Sequence, residues 1–359
     1  MKNLKKILPK LIFFLVITIA VILVIFSLND FTEIGSVLST IIWSWLGVGI
    51  VFLLLYMIFY PMPLYFLGKS KEEGNIKFTD TMLIGSMEYF FNGLTPFSAG
   101  GQPFQIYAYS KVGVSPHRAS GIILMNFVIT QISIVFLCLF SLFFYEQLTS
   151  GVLHLQIMIG VGLGINIFIL CLFCSVGLSK SLRKVMHRFV QWLFNLKIFK
   201  GKLVKYVDAF DQYCEGAQTT FRALLNRKGT FALCVLLKVI GLTFFYMIPF
   251  FILKALNIEI KLVDLPLITA MTTFSIAMTC FIPTPGASGG IEFAFQSLFI
   301  TVIPTITSAI AASGMLLWRF ITYYFLMLIS FVIYLIFEQV ILYRKKKISK
   351  MNNIQENNL

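Results

Sequence analysis

The sequence predicts an all-α polytopic membrane protein folded as an inverted-topology repeat. Three observations predict it: a very apolar composition, a series of apolar runs near bilayer length, and one glycine-rich motif that occurs twice. Of the 359 residues, 58% are hydrophobic and 12% charged, and mean hydropathy is +0.88. An ordinary soluble domain carries about 25% charged residues. A chain this apolar takes lipid as its solvent.

The apolar runs predict six full spans, at residues 11–28, 41–67, 119–145, 155–178, 230–256 and about 314–337, each near the roughly 20 residues that cross a bilayer. The first follows Lys2, Lys5, Lys6 and Lys10 like a secretory signal. It is longer than the roughly 7–15 residues of a signal core and has no small-residue cleavage site, so it reads as a retained span. Two further regions, 81–118 and 265–304, each have an apolar arm, a break and a second arm. They read as re-entrant hairpins or as pairs of short spans, the latter giving eight spans in all.

The breaks share one pattern. Thr95 to Phe104 and Thr284 to Phe293 both read Thr-Pro-x-x-x-Gly-Gly-x-x-Phe, 189 positions apart. Pro96, Pro283 and Pro285 stop the preceding helix. The pairs Gly100-Gly101 and Gly289-Gly290 allow positive φ and close backbone approach, so that a new helix can start with exposed N–H groups. Irregular backbone at membrane depth is tolerated where it is packed in protein or lines a watery cavity. Two interrupted segments in corresponding halves point to a transport site, and exposed N–H groups at a helix start form an anion site. Paired glycines also serve tight helix contact, the plainer alternative.

Charge sets the direction. With the N-terminus inside, every Lys and Arg among the 29 except Lys238, Lys254, Lys261 and Arg319 falls on the cytoplasmic side or in the cytoplasmic tails, as the positive-inside rule requires. Region 81–118 then enters from the cytoplasmic face and 265–304 from the outer face. The same offset carries span 41–67 onto 230–256 and places 119–145 inside the last span. The expected organisation is a first membrane repeat over 1–145 with hairpin 81–118, and a second over 155–342 with hairpin 265–304. The second includes a cytoplasmic interfacial segment, 179–229, and a basic cytoplasmic tail follows over 343–359. Both the segment, with its mixed basic and aromatic residues, and the tail suit anionic lipid headgroups, the plainer alternative being ordinary positive-inside charge placement. Localisation in the cell membrane, multi-pass with both termini cytoplasmic, follows, and no nucleic-acid partner is expected.

A charge inside a bilayer is costly and normally faces a cavity or a partner. Glu88, Lys238, Glu292 and Arg319 are the four candidates. A guanidinium can grip a lipid phosphate bidentately, which makes Arg319 the leading substrate-binding residue. The alternative is that it pairs with Glu292 or Glu88 to hold the fold. Polar groups collect at the breaks: Asn92, Thr95, Ser98, Gln102 and Gln105 at the first, Thr284, Ser288, Glu292 and Gln296 at the second. No catalytic, cofactor or metal-binding motif is found; the cysteines, all but Cys214 in apolar segments, read as small buried hydrophobes, and His117, His154 and His187 lie near span ends or in the interfacial segment.

At Thr95–Phe104 and at the Pro283–Phe293 run, Pro-Thr-Pro-Gly-Ala-Ser-Gly-Gly-Ile-Glu-Phe, the sequence resembles the membrane domain of bacterial lysylphosphatidylglycerol synthases, the multiple peptide resistance proteins, and the stand-alone flippase-like proteins of that superfamily. The resemblance covers almost the whole chain. It implies movement of a lipid between leaflets and a link to antimicrobial peptide resistance. The family's lysine transfer to phosphatidylglycerol belongs to a separate cytoplasmic domain. Such a domain is not expected in about 16 residues after the last span, so phosphatidylglycerol lysyltransferase activity is not expected either. The leading expectation is therefore a lipid translocase whose transport is abolished, without unfolding, by Arg319→Ala. A lipid-modifying enzyme, or a membrane partner of a soluble lipid-modifying enzyme, are the alternatives.

Overall fold

The computed structural model describes residues 31–69, 76–95, 98, 100–194, 207–279 and 282–356. The expected span 11–28, Pro96 and Cys280 lie outside the described residues. Every regular element among the described residues is helical.

Helix α1 (Phe31–Ser39) precedes α2 (Trp43–Phe59) and α3 (Met62–Gly68), which form one apolar rod of 26 residues. The rod is interrupted at Tyr60-Pro61 because Pro61 and Pro63 have no N–H to donate. The first hairpin follows as α4 (Phe78–Ser86), α5 (Glu88–Gly93) and α6 (Gly101–Lys111). Then come the long α7 (Pro116–Ser141), a short α8 (Tyr145–Thr149) and α9 (Leu153–Leu178). The polar segment folds as α10 (Lys180–Phe194) and α11 (Val207–Leu225). Helix α12 (Lys228–Ala255) leads to the second hairpin, α13 (Leu265–Ala277) and α14 (Gly290–Val302). Helices α15 (Ser308–Arg319) and α16 (Leu326–Glu356) are joined through a π-helical turn at Phe320–Phe325 into the last rod.

Five helical rods are long and apolar enough to cross a membrane: Trp43–Gly68, Pro116–Thr149, Leu153–Leu178, Lys228–Ala255 and Ser308–Arg344. They correspond to the five expected spans that lie within the described residues, and the last is longer at both ends than 314–337. Leu262–Ala277 and Gly290–Val302 are apolar but shorter.

Helix α12 packs most extensively along α2. Gly241 permits this approach, since a Cβ there would lie 2.9 Å from the Tyr60 nitrogen. Helix α11 docks on α7 and α9. Its Gln218 Nε2 donates to the Val176 and Ser179 carbonyls at 2.7 and 3.2 Å, and Arg222 donates to the Leu178 carbonyl at 2.7 Å. These satisfy carbonyls left open at the C-terminus of α9, so part of segment 179–229 is packed onto the bundle. Burial and the nearby Asp211 push the Cys214 thiol up, with Arg183 partly opposing them, away from a nucleophilic thiolate.

Candidate functional site

The last rod braces both hairpins. Towards the first, the Tyr323 hydroxyl donates to the Gly93 carbonyl at 2.9 Å, and Arg344 holds Asp80 bidentately at 2.8 Å. Ser330 Oγ accepts from the Phe90 N–H at 2.9 Å and donates to the Ser86 carbonyl at 2.7 Å, bridging the step between α4 and α5. Towards the second, Arg319 Nε donates to Glu292 Oε1 at 2.7 Å, and its Nη2 reaches the Gly286 carbonyl at 2.9 Å and Ser288 Oγ at 3.2 Å. Both members of the Arg319–Glu292 pair are buried.

At the first break the new helix α6 begins under internal caps. The Gly101 N–H donates to Asn92 Oδ1 and the Gly100 N–H to Thr95 Oγ1, both at 2.8 Å. At the second, the Gly289 N–H donates to Glu292 Oε2 at 2.7 Å, and Thr284 Oγ1 donates to the Ser288 carbonyl at 2.8 Å. The expectation of exposed N–H groups therefore fails at these three glycines: side chains from the same break already occupy them. The glycine pairs also differ. Gly289 has φ 91°, in the left-handed region, whereas Gly100 has φ −76°. Gly100 is needed for close approach, because a Cβ would sit 2.7 Å from the Phe91 carbonyl oxygen. Left-handed backbone does recur at equivalent positions, Ser98 at φ 50° and Ala287 at φ 51°, the same 189 residues apart.

The remaining candidates divide. Glu88, buried on α5, accepts from Gln105 Nε2 at 3.0 Å and from Asn92 Nδ2 at 3.3 Å. Lys238 is fully buried and donates to the Tyr60 carbonyl at 2.8 Å with its ammonium 3.5 Å from the Tyr60 ring centre. That carbonyl lies where the prolines interrupt the α2–α3 ladder, so Lys238 caps a helix break rather than facing the cavity described next. Gln102 is half-buried on the first turn of α6, Gly290 opens α14, Pro283 is exposed before the second break, and Pro285 begins its 3-10 turn.

Between the breaks lies a cavity of about 200 Å³. Asn92, Gly93 and Ser98 reach it from the first break, Gly286 and Ile291 from the second, and Trp318, Arg319 and Tyr323 from the last rod. The guanidinium carbon of Arg319 lies 4.7 Å from the Tyr323 ring centre, a cation–π contact. Of the predicted site residues, Arg319 and Asn92 therefore meet at this cavity. Sequence reasoning missed its aromatic wall of Tyr56, Tyr89, Phe245, Trp318 and Tyr323. Tyrosine or tryptophan within an apolar run was the available signal, since each carries a polar atom that wants a partner when buried. Two of these residues make no well-formed hydrogen bond: Tyr89 Oη, whose neighbouring phenol is that of Tyr56, and Trp318 Nε1.

Sequence reasoning also missed Asn166. It is fully buried on α9, and its Nδ2 donates to the Gly162 carbonyl at 2.8 Å and to the Ala277 carbonyl at 2.9 Å. It thereby ties the end of α13 to a full span. No group of three potential metal ligands occurs among the described residues.

No curated protein matches the chain. The family model described as the lysylphosphatidylglycerol synthase TM region matches residues 11–330. With nearly the whole chain matched, and with helices of membrane-crossing length in the structure, this multi-pass membrane protein belongs to the lysylphosphatidylglycerol synthase TM region family.

Proposed function

We propose that this protein is a lipid translocase that moves an anionic phospholipid, an aminoacyl-phospholipid or a polyprenyl-linked lipid between leaflets of the cell membrane. The observation that carries the reading is the cavity between the two breaks, where Arg319 lies beside two residues whose buried polar groups make no well-formed hydrogen bond. Both groups are hydrogen-bond donors, and an unpaired buried donor costs about 1–3 kcal/mol, which a phosphate oxygen would offset. At about 200 Å³ the cavity is smaller than the roughly 300–1,000 Å³ of sites for drug-sized ligands. It suits a headgroup, with the acyl chains left in lipid.

In this reading residues 1–145 and 155–342 are the two inverted repeats. The N- and C-termini are cytoplasmic, and rocking of one repeat against the other exposes the cavity to each leaflet in turn. Recurrence of left-handed backbone at Ser98 and Ala287 supports the repeat. Arg319 acts from within its pair with Glu292, which neutralises part of its charge; the aromatic donors supply the remaining grip.

The test is leaflet exchange of labelled anionic, aminoacylated and undecaprenyl-linked lipids in liposomes holding the purified protein. Because Arg319 also holds the second break together, Tyr89→Phe and Trp318→Phe are better probes than Arg319→Ala. Exchange by the wild type that both substitutions reduce is the expected result. No exchange of any lipid by folded protein would overturn the reading, and lipid mass spectrometry of expressing cells would then test lipid modification.

A further inference from the structure

The two buried carboxylates at the breaks are neutralised differently. Glu292 meets the Arg319 guanidinium at 2.7 Å. Glu88 has no cation within ion-pair distance among the described residues; its oxygens accept from two neutral amides, Gln105 and Asn92. The nearest charge that acts on it is Lys238, whose ammonium is committed to the Tyr60 carbonyl. A full negative charge held by neutral donors at this depth is costly, and one proton removes the cost.

Glu88 is also connected to moving parts. Asn92 donates to Glu88 through Nδ2 and accepts the Gly101 N–H through Oδ1, so the carboxylate orients the amide that caps α6. Asn92 is at the same time part of the cavity wall. Gln105, one turn further along α6, is fully buried, donates to Glu88 through Nε2 and leaves its own Oε1 without a partner. A protonated Glu88 gains a donor, and the amide oxygen of Gln105 is an unfilled acceptor beside it. Turning the Gln105 amide over would pair these two, at the cost of the bond its Nε2 now makes to Glu88.

We infer that Glu88 is a reversible proton-binding site whose occupancy sets the geometry of the first break, coupling a proton to the cavity. The proton adds to one carboxylate oxygen to give a carboxylic acid that donates to Gln105 Oε1, and it leaves by the same route. This deepens the translocase reading and rests on it for the coupling, though not for the proton site. The titratable groups around Glu88 are Tyr89 on its own helix, Tyr56 and Tyr60 from the α2 rod, and Lys238 from α12. From the last rod come Tyr323, at the Gly93 carbonyl, and Tyr334, packed on Phe90, and α4 adds Asp80, paired with Arg344. Protonation at Glu88 is thus set against one cation and several phenols, with no second free carboxylate among those groups.

Infrared difference spectra of the full chain across a pH jump should contain a carboxyl band that Glu88→Gln removes. Amide hydrogen exchange corrected for intrinsic pH dependence should show residues 100–105 changing protection with pH in the wild type. The Glu88→Gln protein should stay in its low-pH pattern at every pH. A band that survives Glu88→Gln, or protection in the wild type that ignores pH, would overturn the inference. Should Glu88→Gln fail to fold, Gln105→Met shifts the same band; an unshifted band overturns the inference equally. Lipid exchange under a proton gradient separates the two proposals. Exchange with no response to the gradient sinks the coupling and leaves the translocase standing. A titrating band in protein that exchanges no lipid sinks the translocase and with it the coupling, and leaves the proton site.

Discussion

The two breaks are copies of one motif, yet the surrounding helices stabilise them by different electrostatics. The second is locked by a buried ion pair: Glu292 caps Gly289 with one oxygen and meets Arg319 with the other, while Arg319 also reaches Gly286 and Ser288. The first is held by neutral caps, Asn92 on Gly101 and Thr95 on Gly100, with Glu88 behind them. A shared turn geometry, visible in Ser98 and Ala287, is thus compatible with one rigid anchor and one adjustable one. The difference originates outside the motif, in which helix delivers a cation. Arg319 touches the second break, whereas Lys238 stops at the Tyr60 carbonyl, short of the first.

The contrast is broken most directly at the ion pair. Arg319→Met leaves Glu292 charged and buried, and unpairing a buried ion costs about 3–5 kcal/mol. Thermal unfolding in detergent should show the largest loss of the series, with Arg319→Met combined with Glu292→Gln recovering part of it. Equal losses in the single and double variants would mean that the pair is not the anchor.

Gly100→Ala comes next. The added methyl meets the Phe91 carbonyl oxygen and the Thr95 side chain, and overpacking of this kind costs about 1–3 kcal/mol. Gly289→Ala has open space around it but keeps φ 91°, so its cost, also about 1–3 kcal/mol, is backbone strain. Combining Gly100→Ala with Thr95→Ser should relieve only part of the first, because it removes the methyl nearest the new Cβ and leaves the Phe91 carbonyl oxygen 2.7 Å away. A matched small substitution near Gly289 should relieve nothing. Stability of the four variants checks this.

Asn92→Leu removes the Gly101 cap, a loss of about 1 kcal/mol by the usual worth of a capping side chain. Hydrogen exchange should loosen at the start of α6 while α14 is unchanged. Loosening of both would show that the breaks are coupled more tightly than their separate caps imply.

The smallest effect on stability is expected at Tyr89→Phe. Its hydroxyl is buried with no well-formed hydrogen bond, only the neighbouring phenol of Tyr56, so deleting it changes stability by no more than about 1 kcal/mol. Lipid exchange, in contrast, should fall about tenfold if that hydroxyl contributes roughly 1.4 kcal/mol to holding a headgroup. Loss of stability with exchange intact would assign Tyr89 to packing alone.

Apolar run length and composition were enough to place the five rods, because a segment that crosses lipid must satisfy its own backbone and show an apolar surface, a demand local in sequence. The doubled Thr-Pro-x-x-x-Gly-Gly-x-x-Phe pattern located both breaks for a similar reason: proline and glycine act on the backbone beside them. Among candidate site residues, Arg319, Glu292 and Glu88 stood out because a charge in an apolar run is rare. Their assignments did not follow from rarity. Lys238 stood out by the same rarity as Arg319, but it caps the Tyr60 carbonyl, 178 residues away in the chain. The N–H groups expected to face a ligand meet Asn92, Thr95 and Glu292 instead. Tyr89 and Trp318 were indistinguishable from other aromatic residues until the packing of α5 against the last rod brought them to one cavity. Element type and break position are encoded within a few turns of helix, whereas which buried polar groups become partners is set by the packing, at separations from 3 residues for Gly289 and Glu292 to 178 for Tyr60 and Lys238, which no local pattern records.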